Sequence, residues 1–338
     1  MTSRSRLTRS LPGLLGLVCL AAIFGACLLS LPYTLGTGDD GGPRYAEQTR
    51  TARHLPPWWL GRLGMPGDPA ARAEVQARIR ATEHALGAPP RYWMGTDVLG
   101  RSLLVRVLAG GGVSLTIGLA AAMLSVFVGT VYGAVAGYVG GRTDAVMMRT
   151  VDVLYGLPYI LLVVLLAVAV SAAVDQWQLE RGREFSPAVN QVIGIATLFV
   201  AIGGVSWLTM ARVVRGQVLS LKGQPFMEAA RAMGTPVVRQ FTRHLLPNLV
   251  GPITVYATLT VPQAILQESF LSFLGIGVRP PLPSWGNLAA EGLSELNPYQ
   301  SRWWLLVFPC AMLGATLLAL NFVGEGLREA LDPKGRKR

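Results

Sequence analysis

The sequence predicts an all-α membrane protein with about six transmembrane helices, and three observations support this fold class. The 338 residues are 51% hydrophobic and only 14% charged, whereas soluble domains carry roughly a quarter charged residues. The mean hydropathy is +0.42. Glycine and proline interrupt several apolar runs, as in LYGLPYILL and PNLVGPITVYATLTVPQ. Membrane helices accept such residues because neighbouring helices and waters satisfy the freed backbone groups.

Six apolar runs are each about 20 residues or longer, the length with which a helix crosses about 30 Å of hydrocarbon. They are Leu11–Leu31, Val113–Val139, Val151–Val174, Val189–Ala211, Leu245–Gln267 and Trp303–Val323. At the inner edge of the third run, Asp152 lies near Arg149 in the chain, and we expect these two side chains to form an ion pair. The first run is too long for a cleaved signal peptide and no cleavage site follows it.

The basic residues indicate the orientation of these helices. With the amino terminus inside, the inner segments hold Arg4, Arg6, Arg9, Arg142, Arg149, Arg212, Arg215, Lys222, Arg231, Arg239, Arg243, Arg328, Lys334, Arg336, Lys337 and Arg338. The two short outer loops hold only Arg181, Arg183, Arg279 and Arg302. This asymmetry follows the positive-inside rule and predicts that both termini are cytoplasmic. It also gives the net charge of +11 an explanation that requires no nucleic acid.

Four segments follow from this topology. Residues 1–31 form the cytoplasmic amino terminus and first helix, residues 32–112 an outer segment, and residues 113–324 a unit of five helices with an inner basic loop at 212–247. Residues 325–338 form a basic tail. In the outer segment, Pro69–Leu86 has helix formers and predicts a surface helix. An interfacial helix is expected to begin at a cap on Thr96 or Asp97 and to stop at Gly110–Gly112.

The inner basic loop has the pattern of two short helices joined by a sharp turn. Pro225 suits a first helical turn, and Glu228 lies where the helix dipole favours an anion. Gly234 is expected to end this helix in the left-handed conformation. The apolar stripe of the first helix is Phe226, Ala229, Ala230 and Met233, and that of the second is Val237, Phe241 and Leu245, with Arg239 and Arg243 on another face and Pro247 as its end.

Two readings of this loop remain open on pattern alone. Basic amphipathic helices lie on lipid surfaces. A stripe of small residues flanked by phenylalanine and methionine instead favours insertion into a groove on a cytoplasmic partner protein. The paired alanines at 229 and 230 favour the second reading.

The residues of this loop carry a family resemblance. Glu228-Ala229-Ala230, the following Gly234 and the RHLLPN sequence at 243–248 resemble the EAA loop of importer permeases in the ATP-binding-cassette class. The RHxLPN ending is typical of the dipeptide, oligopeptide and nickel branch. Five further stretches agree, in the order found in the second, C-type permease subunit: GTDVLGR at 95–101, AGYVGGRTD at 136–144, RTVDVLYGLP at 149–158, ESFLSFLGIGVRPPLPSWGN at 268–287 and EGLREALDP at 325–333. The segment 36–90 and the loop 175–188 match poorly.

The resemblance implies a five-helix type I importer core with one added amino-terminal helix, in a bacterial inner membrane. It implies that a cytoplasmic ATPase docks on Phe226, Glu228, Ala229, Ala230, Met233, Gly234, Arg243 and Pro247. The implied partners are a second permease subunit, two ATP-binding-cassette subunits, membrane lipid and an extracytoplasmic binding protein, which would face Asp97, Arg101, Pro283 and Trp285. Closure of the ATPase pair would drive alternating access.

The chain itself is not expected to be an enzyme. It contains no GxxxxGK[ST] phosphate loop and only three lysines, none of which follows a glycine-rich run. We therefore expect ATP and magnesium to bind the partner subunits, and no cofactor to bind this chain. His54, His84 and His244 are scattered without metal-ligand spacing, so no metal site is expected.

Three polar residues of the fifth apolar run are candidates for a translocation path: Gln263, Gln267 and Glu268. An acid within a membrane helix is a functional candidate because its burial is costly. Counted from Leu249, Glu268 falls near the outer boundary, so a structural hydrogen bond is the alternative role.

Two other function classes are open to a polytopic membrane protein. A self-sufficient secondary transporter predicts inverted repeats and discontinuous helices with midplane charges. A membrane enzyme predicts clustered histidines or acids at one membrane face. The sequence shows neither pattern.

Overall fold

The structure is a computed structural model that describes residues 11–38, 41–60, 69–182, 186–296 and 302–331. Within these ranges the chain is helical and forms only isolated β-bridges. The helices of eight residues or more are α1 Leu11–Thr34, α2 Pro69–Leu86, α3 Leu103–Val139, α4 Gly141–Tyr155, α5 Tyr159–Glu180, α6 Pro187–Lys222, α7 Pro225–Ala232, α8 Leu246–Phe273, α9 Trp285–Ser294 and α10 Trp304–Leu331. The predicted inner charges Arg4, Arg6, Arg9, Lys334, Arg336, Lys337 and Arg338 and the outer Arg183 lie outside the described residues.

Six helices are long and apolar enough to cross a membrane: α1, α3, α5, α6, α10, and α8 together with the turns that precede it from Val237. The predicted fold class, an all-α membrane protein with six spans, is therefore confirmed. The predicted surface helix, α2, occupies Pro69–Leu86 as expected. The structure extends α6 to Lys222, so residues 212–222, which the sequence suggested as part of a loop, are helical.

The most extensive helix contact joins α3 and α6, and glycines make it possible. A Cβ atom on Gly133 would lie 2.2 Å from the carbonyl oxygen of Ala211, and one on Gly129 would lie 2.5 Å from Met210 Cβ. Gly137 meets Val218 in the same way, at 2.9 Å. Small residues at four-residue spacing let membrane helices approach closely. The centre of the bundle is therefore a glycine-lined pair of helices.

The third predicted span is wrong in its first half. Residues 151–155 belong to α4, which is separate from the span α5 because Pro158 lacks an N–H and its ring disfavours a helical conformation at Leu157. The predicted ion pair of Asp152 with Arg149 is also wrong, since Asp152 accepts from Arg212 Nη2 at 2.8 Å. Asp144 accepts from Arg215 Nε at 2.6 Å. Both pairs tie α4 to α6.

The predicted interfacial helix is wrong at both ends. Helix α3 begins after Ser102 rather than at Thr96 or Asp97, and it continues through the three glycines to Val139. These glycines do not stop the helix but allow close packing: a Cβ on Gly111 would lie 2.5 Å from Cys27 Sγ. In a membrane bundle, a run of glycines therefore marks a packing surface as readily as a helix end.

The outer segment is anchored to the outer ends of α3, α9 and α10. The Leu55 N–H donates to Thr96 Oγ1 at 2.7 Å, and the His54 N–H donates to the Asp97 carbonyl at 3.0 Å. Trp59 packs against Trp303 with ring centroids 6.5 Å apart. Residues 41–60, which lie in the region that matches the family poorly, thus form an ordered layer over these helix ends. We name this layer, together with residues 94–106 and 283–295, the outer platform.

Candidate functional site

The candidate site is the segment between α6 and α8, residues 223–245, which we name the hook. Its first part is α7, with Pro225 in the first turn and Glu228 near the positive end of the helix dipole. Gly234 has φ of 68°, and the following N–H, that of Thr235, donates to the Ala230 carbonyl at 3.1 Å. The predicted first helix and its left-handed terminator are therefore confirmed.

The hook presents one face inward and one outward. Met227 and Ala230 are 0% and 1% exposed, and Met227 packs in a cluster with Val218, Leu245 and Leu249. Phe226 is 38% exposed and Met233 is 76% exposed. The predicted stripe of Phe226, Ala229, Ala230 and Met233 is thus split, because Ala230 turns into the bundle while the other three face outward. Val237 and Val238 add exposed apolar surface after the turn, at 58% and 73%.

The second part of the hook runs directly into the membrane helix. One α-helical turn, Val237–Arg239, is followed by a π-helical segment, Gln240–Leu245. Pro247 does not end this helix as predicted; it lies in the first turn of α8. In a regular α-helix the proline ring clashes with the carbonyl four residues earlier. The π turn changes that register, with the Leu246 N–H donating five residues back to the Phe241 carbonyl.

Charged side chains surround the exposed apolar face of the hook. Glu228, Arg231, Arg239 and Arg243 are exposed. Arg231 Nη2 donates to the Lys222 carbonyl at 3.2 Å, which fixes α7 against the end of α6. The outward face combines apolar side chains with charges of both signs, and within the described residues no other part of the chain covers it. It is suited to bind a partner whose groove is both apolar and charged.

Two of the predicted path residues line a cavity of about 400 Å³ between α5, α6 and α8. These are Gln263 and Gln267, and Gln267 Oε1 accepts from the Tyr159 hydroxyl at 2.7 Å. The same hydroxyl lies 2.7 Å from Ser206 Oγ. Sequence reasoning missed Tyr159 and Thr209, which line this cavity, and Ser206, which bonds to Tyr159. The signal that could have found them is a polar side chain within or beside an apolar run.

Glu268 lies on another face of α8 and does not line that cavity. It is fully buried and accepts from Ser272 Oγ at 2.8 Å and Ser269 Oγ at 3.2 Å. Ser272 Oγ in turn accepts from the Val278 N–H at 3.0 Å. The structure therefore gives Glu268 the contacts of a hydrogen-bonded structural residue, which joins α8 to the loop that follows it.

The residues predicted to face a binding protein are buried rather than exposed. Asp97 is 3% exposed, and it accepts from Arg101 Nε at 2.6 Å and Arg106 Nη1 at 2.7 Å. Trp285 is fully buried and donates to the Val107 carbonyl at 3.0 Å, and Pro283 is also buried. Their predicted surface position is wrong, because they form the interior of the outer platform.

Comparison with known proteins agrees with this architecture. Residues 129–337 match the family described as binding-protein-dependent transport system inner membrane component. The oligopeptide transport system permease protein of Escherichia coli K12 is 47% identical over 247 residues, 72% of this chain and 73% of that protein. The oligopeptide permease protein of Haemophilus influenzae is 44% identical over 245 residues, 72% and 71% of the two chains. The dipeptide transport system permease protein of Bacillus subtilis is 42% identical over 260 residues, 77% and 74%.

The family match spans most of the bundle, including α6, the hook, α8 and α10. The matched relatives extend the similarity to about three quarters of the chain. The chain belongs to the family of inner membrane components of binding-protein-dependent transport systems.

Proposed function

We propose that this chain is the transmembrane permease subunit of an ATP-driven importer for dipeptides or oligopeptides. The relatives that it matches are named as oligopeptide and dipeptide transport system permeases. Membership of a binding-protein-dependent family requires an extracytoplasmic binding protein, and selectivity among peptides belongs mainly to that protein. A self-sufficient secondary transporter is not favoured by these relatives.

The proposed assembly contains this chain, a second permease subunit, two ATP-binding-cassette subunits and the binding protein, in a bacterial inner membrane. Both termini and the hook face the cytoplasm, as the basic residues favour. ATP and magnesium bind the ATPase subunits, and this chain contributes no catalytic residue. Hydrolysis is coupled to transport because the ATPase pair and the binding protein contact the permease at two separate sites. Both contacts bias the same equilibrium of the permease, between its inward-open and outward-open states.

The observation that carries the proposal is the exposed face of the hook. Its docking surface includes Phe226, Glu228, Ala229 and Met233, all of which face outward. Ala230 and Gly234 shape the segment, since Ala230 packs inward and Gly234 sets the turn. Arg243 lies on the exposed side of the π-helical segment, and Pro247 fixes the entry into α8. Lipid is the competing occupant of this face, and the charges Glu228 and Arg231 favour a protein groove.

The cavity at Gln263 and Gln267 is proposed as part of the path for the peptide. Its lining combines glutamine, tyrosine and threonine side chains with leucine and valine, which suits a polar solute that passes without tight binding. Glu268 is not assigned to the path, since its contacts are structural.

Affinity purification from the native host tests the docking proposal. The wild-type chain is expected to recover an ATPase, and Glu228→Lys or Gly234→Pro is expected to release it while membrane insertion stays intact. Glu83→Lys is the matched control, because Glu83 is an exposed acid on α2, outside the hook. Peptide uptake that proceeds in the absence of any ATPase contradicts the proposal and restores the secondary-transporter hypothesis.

A further inference from the structure

One tyrosine of the membrane bundle reaches into the hook. The Tyr138 hydroxyl, at the inner end of α3, donates to Gln240 Oε1 at 3.0 Å. Gln240 is only 6% exposed, and its Nε2 donates to the Thr235 carbonyl at 2.7 Å. Both polar ends of this buried amide are therefore bonded. The bonds link α3 to the turn of the hook and to its π-helical segment.

The same tyrosine contacts the end of α6. Its backbone carbonyl accepts from Lys222 Nζ at 2.5 Å, and that ammonium lies 5.6 Å from the centre of the tyrosine ring. The ring also meets Phe241 edge-on, with centroids 6.5 Å apart and an interplanar angle of 90°. Tyr138 is thus the point at which α3, α6 and the hook meet.

The other contacts of the hook hold it less specifically. Met227 and Leu245 pack against Val218 through apolar contacts, which are non-directional and resist separation more than sliding. The bond from Arg231 to the Lys222 carbonyl is exposed, so water competes for it. The Tyr138–Gln240 bond is directional and partly buried, and the amide of Gln240, which is 6% exposed, cannot readily exchange this partner for water.

We propose that Tyr138 and Gln240 form a latch that transmits movement of the hook to the α3–α6 pair. This inference rests on the proposed function, because it assumes that an ATPase moves the hook. The glycine-lined contact of α3 with α6 makes the pair a rigid unit, so a hook fixed to Tyr138 moves both helices together. Tyr138 is a positioning residue; the hook surface itself binds the partner.

The test is peptide transported per ATP hydrolysed by the reconstituted complex of permeases, ATPases and binding protein. Tyr138→Phe keeps the ring but removes the donor, and this ratio is expected to fall about tenfold, because movement of the hook is no longer passed to α3. Tyr132→Phe is the matched control: its hydroxyl also extends from α3, but donates to the Met147 carbonyl in α4 at 3.0 Å. The control is expected to keep the wild-type ratio.

Gln240→Leu separates transmission from simple destabilisation. If both residues act through one bond, the double variant is expected to have the ratio of the worse single variant, whereas independent losses of stability add. An unchanged ratio in Tyr138→Phe overturns the latch, as does additivity of the two substitutions. Loss of the ATPase from the purified Tyr138→Phe complex also overturns it, because the residue then supports docking. A wild-type complex without ATP-dependent peptide uptake would instead overturn the proposed function.

Discussion

The guanidinium of Arg106 shows how a single charge in the outer platform depends on its partners. Arg106 is 2% exposed; its Nη1 lies 2.7 Å from Asp97 Oδ2 and 2.5 Å from Glu291 Oε2. Without Arg106, Asp97 keeps its ion pair with Arg101 but loses a charge-assisted hydrogen bond, and such bonds contribute about 1.5–3 kcal/mol. We expect Arg106→Gln to lower the free energy of unfolding by about 2 kcal/mol, measured by denaturant unfolding of the purified protein.

The control for this substitution is Arg212→Gln. Arg212 pairs with Asp152, but their side chains are 37% and 63% exposed, and exposed pairs contribute about 0–1 kcal/mol. Arg212→Gln is therefore expected to change stability by less than about 1 kcal/mol. Equal losses in the two variants would contradict the importance of burial at Arg106.

His54 makes the outer platform sensitive to pH. Burial lowers the pKa of His54 below its ordinary value, and the positive charges of Arg302 and Arg78 lower it further, while Glu295 and Asp97 act in the opposite direction. Because the pKa of His54 is lower in the folded protein, protonation of His54 disfavours the folded arrangement of residues 41–60. Its stability is full above the ordinary pKa, about 6.5, and falls as the pH drops through that value toward the folded pKa.

Hydrogen exchange of residues 41–60 measures this effect. Protection is expected to decrease on acidification below about pH 6.5. His54→Asn removes the titrating group, and asparagine tolerates the φ of 57° found at this position. The variant is therefore expected to lose much of the pH dependence without losing protection at neutral pH. The same acid-induced loss in both proteins would show that another group is responsible.

At the scale of helices, apolar runs predicted the spans, but side-chain patterns could not fix their ends. The run starting at Val151 hid the break at Pro158, and the glycines before Val113 suggested a stop where α3 continues. Both errors have one cause. Whether a glycine or a proline ends a helix in a bundle depends on the helices packed beside it, and the sequence does not show which helices those are. Local features are accessible from the sequence: Gly234 ends the first hook helix as predicted, and the cap of α9 is likewise a local bond, from the Asn287 N–H to Ser284 Oγ.

The candidate site shows the same division: its local features could be predicted from the sequence, and its long-range contacts could not. The turn and first helix of the hook follow from Pro225, Glu228 and Gly234, which act within a few residues of one another. The bond from Tyr138 to Gln240 joins residues 102 positions apart, and no local pattern indicates it. Burial of Asp97 and Trp285 likewise depends on packing between distant helices.

The α3–α6 contact predicts a strong dependence on glycine. In Gly133→Val the new Cβ would overlap the Ala211 carbonyl, at 2.2 Å, so the two helices must separate. Overpacking of this kind typically costs about 1–3 kcal/mol. Gly216→Val is the matched control on α6, because a Cβ there meets open space; we expect it to stay within about 0.5 kcal/mol of the wild type. Thermal unfolding in detergent compares the two, and equal stability would contradict the close contact.

At the scale of the whole molecule, the two ends of the bundle differ in construction. One end carries the outer platform, where Asp97, Glu291 and Glu295 pair with arginines. The other end carries the hook and the basic residues Arg142, Arg149, Arg215, Lys222, Arg231, Arg239 and Arg243. The helices α3, α5, α6, α8 and α10 alternate in direction between these ends. The proposed function puts the hook in the cytoplasm, and it therefore puts the platform on the opposite side of the membrane.

Cysteine labelling tests this orientation for the whole chain at once. In a variant with Cys19, Cys27 and Cys310 replaced by alanine, Arg142→Cys introduces a thiol at the start of α4, an exposed position at the same end of the bundle as the hook but outside the docking surface. Glu83→Cys introduces one on α2, also at an exposed position. A membrane-impermeant maleimide is expected to label position 83 in intact cells and position 142 only after permeabilisation, because the basic residues of the short loops favour the inside. Labelling of position 142 in intact cells would place the hook outside, where no ATP-driven partner could reach it.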